Sequence, residues 1–267
     1  MSAALRVHVQ GIGLLGPGIA SWSTAREVLS GAQPHASVST VLPPPARLPP
    51  AERRRAGAAV KLALAVADEA VMQADVDPAM LATVFTSSSG EGTNCHMLCE
   101  TLATPAPMVS PTRFTNSVHN AAAGCWHIAV ASRASSTSLC AFDTSFGAGL
   151  IEAASSVHAS RAPILLVASD SPYPEPLHAT RPLPDHFGTA LLLAPERDTR
   201  TLAELTITLL PAHGGISTCS DPSLEAMRCA IPAARALPLL AALAGPRTPR
   251  RLVIEALPGL HVQIDIT

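Results

Sequence analysis

Residues 138–153 read SLCAFDTSFGAGLIEA: an apolar, strand-like run, a tight turn, then a helix of small residues. Enzymes often seat a nucleophile at such a turn, because the positive end of the helix dipole favours an anion there. The residue at the turn is Asp143, with Cys140 three positions before it and Ser145 two after it. The stretch is either an active site or the remains of one. A second chemical group, His213, lies in the glycine turn HGGISTCSD (213–221). An imidazole there could activate a distant nucleophile; the plainer reading is a solvated loop histidine.

Three further motifs invite chemistry and are better read as structure. GIGLLG (Gly11, Gly13, Gly16) follows a strand, as a dinucleotide fingerprint does. That fingerprint needs a helix opening at once and an acid about 20 residues on. Here Pro17-Gly18 intervenes and no Asp or Glu lies between Glu27 and Glu52, so the glycines read as a turn at a strand end. SSSGEG (87–92) could hold an anion on backbone N–H groups. No lysine follows it, and it reads as a tight strand-to-helix connection. CHMLC puts Cys95 and Cys99 one helical turn apart with His96 between them. Zinc would need two more ligands, and no second pair of that kind exists, so neither metal nor cofactor is expected.

The elements that must position these groups follow from periodicity and turn signals. Residues 5–12 alternate as a strand, and 21–31 form a helix between a Ser or Thr cap and Gly31. A Pro- and Ala-rich loop spans 33–51. Residues 51–76 predict one long amphipathic helix, with Val60, Leu64, Ala67 and Val71 on one face. A buried strand runs from 80 into the turn at 87–92, and a helix follows to about 103. Pro105, Pro107 and Pro111 then break the chain. Residues 120–134 predict a helix, 136–142 a strand, 145–160 a helix and 163–170 a strand. Strands at 188–195 and 202–211, a helix at 233–245 and a hairpin over 250–267 turning at Pro258-Gly259 complete the pattern. Strands alternate with helices to residue 170 and mainly strands follow, which predicts an α/β layered fold with a mixed sheet.

Composition bounds the function. The chain has 267 residues, 48% hydrophobic and only 3% aromatic, so its core must be packed mainly with Ala, Leu and Val. A net charge of −2 supplies no polycationic field for nucleic acid. Seventeen of the eighteen basic residues are Arg. The N-terminal MSAALRVHVQGIG lacks the order of a signal peptide, and no apolar run is long enough for a membrane span. A cytoplasmic protein with its six cysteines reduced is expected.

The block SPTRFTNSVHNAAAGCWHIAVASRASSTSLCAFDTSFGAGLIEAA (110–154) resembles the N-terminal half of the β-ketoacyl synthases, which have the thiolase fold. More narrowly it resembles the short ketosynthase-like branch, whose hallmark is NSVHN followed by an alanine-rich AG helix. Members of that branch sit among enzymes for aryl polyene and xanthomonadin-type pigments. VQGIGLLGPG, VFTSSSGEG and ILLVASD match the same layout. The resemblance covers about residues 5–195 and, more loosely, the C-terminal helix and hairpin. It implies a half-size, thiolase-like layered α/β fold, a mixed sheet flanked by helices, and a single domain over 1–267.

The family pattern places a Cys nucleophile just before a helix, a Ser two residues later and a small-apolar pair at six and seven. Laid on DTSFGAGLIEA without gaps, it matches Ser145 and Gly149-Leu150, and the nucleophile position falls on Asp143. Cys140 would lie within the strand, away from the helix end that makes a thiol reactive, and reads as a buried structural thiol. Asp143 suits an N-cap better than covalent catalysis. An acyl-aspartate would be a labile mixed anhydride, and an anion would repel a malonyl carboxylate. HGGISTCSD is similar to the family's His-Gly-Thr-Gly-Thr run, but lies about half the expected distance beyond Asp143. No second histidine motif follows.

The resemblance therefore implies a non-catalytic, chain-length-factor-like partner of a full-length ketosynthase that elongates acyl chains on acyl carrier protein. Its segment 110–135 would lie at the heterodimer interface, with Asn116, Ser117, His119, Asn120, Gly124, Trp126 and Phe142 at the interface or acyl tunnel. Asn120 would cap the following helix, and Ala121, Ala122, Ala123 and Gly124 would let backbones approach closely. Trp126 would either end a cavity or fill the core. Two alternatives remain: a minimal acyltransferase or ketosynthase using Cys140 or His213, and a structural scaffold for acyl carrier protein.

Overall fold

The computed structural model describes residues 4–267; residues 1–3, the start of the stretch read as lacking a signal peptide, lie outside the described residues. The alternating N-terminal run forms β1 (Leu5–Leu15). α1 (Trp22–Leu29) opens on a reciprocal capping box between Ser21 and Thr24. The expected helix over 51–76 is broken into α2 (Pro50–Arg55) and α3 (Ala58–Ala74). Gly57 is the reason: it becomes the N-cap of α3, and a Cβ there would lie 2.8 Å from Glu91 Oε2. The four α3 residues predicted to share a face are all buried.

β2 (Ala82–Thr86) leads to α4 (Gly92–Leu102) and then to α5 (Pro111–Asn116), which the prolines had hidden. α6 (Ala121–Ala129) is shorter than expected because Ala131 turns left-handed at φ 53°. β3 (Ser136–Leu139) also stops early, whereas α7 (Ser145–Ser160) spans its expected range. β4 (Ile164–Asp170), α8 (Leu177–Thr180), β5 (Phe187–Ala194) and β6 (Ala203–Pro211) follow. α9 (Pro222–Ala230) was missed in the sequence, although Asp221 caps it by accepting the N–H groups of Ser223 and Leu224. The expected helix 233–245 is a 3₁₀ turn (Pro232–Ala236) and then α10 (Leu237–Ala244), since Pro232 and Pro238 each restart the chain. β7 (Arg250–Leu257) and β8 (Leu260–Ile266) make the expected hairpin.

The strands form one eight-stranded sheet in the order β3-β2-β4-β5-β1-β6-β8-β7. β2 is parallel to β3 and β4, and the remaining pairs are antiparallel. This is the expected mixed sheet. Helices cover both faces, α3 and α6 on one and α7 with α10 on the other, which is why β4 and β5 are buried throughout and mainly apolar rather than alternating.

A bulge at Gln10 decides which helix meets which residue. The β1–β5 register shifts between Val9 and Gly11. An extra residue reverses the parity of side chains along a strand. Val7 and Val9 therefore share the α7 side with Ile12 and Leu14, and Gly11 and Gly13 face α3. A Cβ on Gly11 would lie 2.1 Å from the Ala70 carbonyl oxygen, and one on Gly13 1.9 Å from that of Val66. The first two glycines of GIGLLG thus lie inside the strand, where α3 approaches its backbone, and not in a strand-end turn. Pairing with β6 ends at Val9. The freed N–H groups of Ile12 and Leu14 donate to Gln73 Oε1 (2.6 Å) and Glu69 Oε2 (2.9 Å) on α3. Glu69 Oε1 also accepts the Trp22 N–H at the start of α1 (2.7 Å).

Two glycine substitutions should have opposite signs. Gly13→Ala is expected to destabilise the chain by about 3 kcal/mol, because strand or helix must move. Gly124→Ala, whose Cβ would enter open space within α6, should stabilise it by about 0.5–1 kcal/mol. Urea unfolding of both variants measures the difference.

Candidate functional site at the β3–α7 turn

β3 ends at Leu139, so Cys140 leaves the sheet rather than being buried within it. This corrects the sequence reading: Cys140 is exposed, and its Sγ–H donates to the Ser88 carbonyl at 3.2 Å. The nearby imidazole of His119 bonds instead to the adjacent carbonyl, Ser87, at 3.4 Å. No hydrogen bond joins thiol and imidazole among the described residues.

The chain then folds into a 3₁₀ turn, Phe142–Thr144, with Phe142 left-handed at φ 52°. Ser145 secures this turn. Its buried Oγ accepts the Ala141 N–H (3.1 Å) and donates to the Phe142 carbonyl (2.7 Å), while its own carbonyl accepts the Thr86 hydroxyl (2.8 Å). Asp143 does not cap α7, contrary to expectation; Thr144 holds the N-cap position without a side-chain bond. The turn directs Asp143 toward two guanidinium groups. Arg181 Nη2 donates to Asp143 Oδ1 at 2.6 Å, and Arg235 Nη2 lies 3.8 Å from Oδ2. Charge-assisted bonds of this kind outweigh an N-cap bond, so the capping geometry is not adopted. Arg181 also stacks on the exposed ring of Phe142, 3.4 Å from its centroid, and Arg235 pairs with Glu255 as well.

A buried carboxylate holds these pieces in place. Asp170, the last residue of β4, accepts the Ser88 N–H (2.7 Å), the Ser88 hydroxyl (2.6 Å), the Ser87 hydroxyl (3.3 Å) and the Ala233 N–H (2.8 Å). Burial pushes its carboxyl above the ordinary carboxylate range, while these donors pull it back. One side chain thereby fixes both the loop whose carbonyls receive Cys140 and His119 and the turn that carries Arg235. SSSGEG is the connection it was read to be, and Asp170 is what closes it.

Apart from Phe142 in the turn above, the interface candidates fall into two places. Asn116 Nδ2 and the Ser117 hydroxyl donate to the carbonyls of Thr112 and Phe114, within α5 itself (3.0 and 2.9 Å). Asn120 holds the N-cap position of α6, but its side chain caps nothing, which corrects that expectation. His119, Asn120 and Gly124 line a shallow cavity of about 490 Å³ beside the open edge of β3. Met108, Phe114, Val118 and Ile128 add exposed apolar surface along the α5–α6 stretch. Trp126 lies elsewhere. It is fully buried in the cluster that packs on α3 and lines a different cavity, to which no residue of 138–146 contributes.

His213 is exposed after β6, with no hydrogen bond or ion pair to Cys140 or Asp143 among the described residues. Among the described residues no group of three or more His, Cys, Asp or Glu is placed to hold a metal ion. Cys95 and Cys99 are exposed, and His96 faces Glu100 at 3.3 Å. No described helix is long and apolar enough to cross a membrane. Sequence reasoning missed Asp170, Arg181 and Arg235. Only Asp170 gave a signal, as an acid ending an otherwise buried apolar strand.

Residues 22–234 match the family described as beta-ketoacyl synthase, N-terminal domain, and the chain belongs to that family. Solved structures share its fold. One is the ketosynthase ApeO in complex with its chain length factor ApeC from Xenorhabdus doucetiae. A chain of it superposes with a TM-score of 0.71 at 24% identity, over 98% of this chain and 99% of that one. The ishigamide ketosynthase/chain length factor gives 0.73 at 13% identity, over 97% and 98%. The complex AntDE:AntF, a type II acyl carrier protein with its ketosynthase, gives 0.71 at 12% identity, over 98% and 99%. The sheet and its helical layers are therefore the thiolase-like ketosynthase fold. No curated protein sequence matches the chain significantly.

Two measurements test this geometry. Asp170→Asn turns one acceptor into a donor facing an N–H, and is expected to cost about 2 kcal/mol in urea unfolding. Burial pushes the thiols of Cys125 and Cys219 each up to about 11. Iodoacetamide at neutral pH should therefore alkylate them at least about tenfold more slowly than the exposed Cys140, by peptide mass mapping.

Proposed function

We propose that this chain is a chain-length-factor-like, non-catalytic partner of a full-length β-ketoacyl synthase, acting in polyene or polyketide biosynthesis in the cytoplasm. The observation that carries this reading is Asp143, which occupies the position the family pattern gives to the nucleophile and is held between Arg181 and Arg235. Condensation needs an activated nucleophile together with a site for the oxyanion. A carboxylate already accepting from one guanidinium and facing a second is a poor nucleophile, and its acyl product would be a labile anhydride.

The surface supports a partner. β3 is a sheet edge with polar Ser136, Thr137 and Ser138, and unpaired edge groups are a template for association. The exposed apolar residues of the α5–α6 stretch adjoin it in sequence, and open space around Gly124 leaves room for close packing. A full-length ketosynthase docking here would cover the shallow cavity beside His119 and Asn120. Two of the solved neighbours are described as ketosynthases with chain length factors, and a third as a ketosynthase with its acyl carrier protein. Acyl carrier protein would then reach this chain through the complex.

The exposure of Cys140 favours a second reading, a minimal acyltransferase using that thiol. One experiment separates the two. The chain is co-expressed with a full-length ketosynthase from the same operon, and also purified alone and incubated with radiolabelled acyl carrier protein. The expected result is co-elution in size exclusion, lost in Ile128→Arg, with no label on the lone chain. Label that disappears in Cys140→Ala would overturn the non-catalytic role.

A further inference from the structure

The cavity lined by Trp126 lies between α3 and the proline segment 43–45, and its volume is about 630 Å³. That is within the range of roughly 300–1,000 Å³ typical of sites for small organic ligands. Its wall is mainly apolar: Trp22, Trp126, Leu64, Met72 and the proline segment. Lys61, Leu64, Ala65, Asp68, Glu69 and Met72 all line it, at the spacing that gathers residues on one helix face.

The charges on the wall are unequally engaged. Arg47, just after the prolines, pairs with Asp68 on α3 and so ties that segment over the cavity. Glu69 accepts the backbone N–H groups of Leu14 and Trp22, and burial pushes it above the ordinary carboxylate range. Gln73 accepts the Ile12 N–H. One charged side-chain group is left without a partner among the described residues, the ammonium of half-buried Lys61; the indole N–H of Trp126 is also unpaired but lies fully buried behind the wall. An apolar cavity with an unmatched ammonium at its wall is complementary to an anion on an apolar body.

We propose that this cavity binds an aromatic monocarboxylate, its ring between the α3 face at Leu64 and Met72 and the proline segment, beside Trp22, and its carboxylate at Lys61. Among the described residues one free cation lines the cavity, which suits a single negative charge, since a phosphate dianion would meet Asp68 and Glu69 with only one counter-charge. No residue of the β3–α7 turn lines the cavity, so its occupancy is separate from the role proposed for Asp143.

The chain reports on the site itself, because both of its tryptophans line the cavity. The full chain is titrated with 4-phenylbutyrate and with its neutral counterpart 4-phenyl-1-butanol, following tryptophan emission. The expected result is a saturable change with the carboxylate, and binding at least about tenfold weaker for the alcohol. Lys61→Met should lose the same factor for the carboxylate, so that about tenfold more 4-phenylbutyrate is needed for the same melting rise in that variant. Equal affinity for acid and alcohol, or no saturable change, would overturn the proposal. The comparison on the unmodified chain decides the matter if Lys61→Met does not fold.

Discussion

The buried carboxylate of Asp170 is the contact on which the rest of the site depends. It ends a central strand, and its oxygens meet donors from two segments far apart in sequence, Ser87–Ser88 and Ala233. Burying a carboxylate is costly unless several donors meet it, so both segments must be in place together. The loop after β2 then offers its carbonyls to Cys140 and His119, and the 3₁₀ turn before α10 carries Arg235 to Asp143. A local chemical question, which group sits at the head of α7, is thus answered by long-range hydrogen bonding.

The same arrangement explains why the turn binds cations rather than a thiol. Ser145 satisfies the turn's own backbone, which leaves Asp143 free to face outward. Arg181 is held over Phe142, and Phe142 takes a left-handed conformation that brings its ring beneath the guanidinium. A cation over an aromatic face gains stability, more so when partly desolvated. Carboxylate, two guanidiniums and a ring form one cluster, closed by Glu255 from β7.

Much of the fold was legible from sequence because most of its strands are apolar or alternating runs bounded by turn residues. What was illegible depended on partners distant along the chain. The helix breaks at extended Ala56 and at Gly57, where Glu91 leaves no room for a Cβ, and nothing in residues 51–76 announces that contact. The stop of β3 at Leu139 reflects the turn that Ser145 builds from the other side, so Cys140 was placed inside a strand it had already left. Asp143 resembled a helix cap because its arginines lie 38 and about 90 residues away, beyond any local pattern. The reason for the β1 glycines, the backbone of α3 against them, requires three dimensions.

The extra residue in β1 has a consequence of its own. It works as a counting device: odd-numbered residues face α7 before Gln10 and α3 after it, and Gln10 is the switch between them. Excising that one residue would leave every other side chain chemically intact and yet exchange the two layers from Gly11 onward, sending Ile12 and Leu14 against the carbonyls of Ala70 and Val66 and leaving glycines where α7 needs bulk. Substitutions along this strand can be graded by size, whereas a change of length there admits no partial credit.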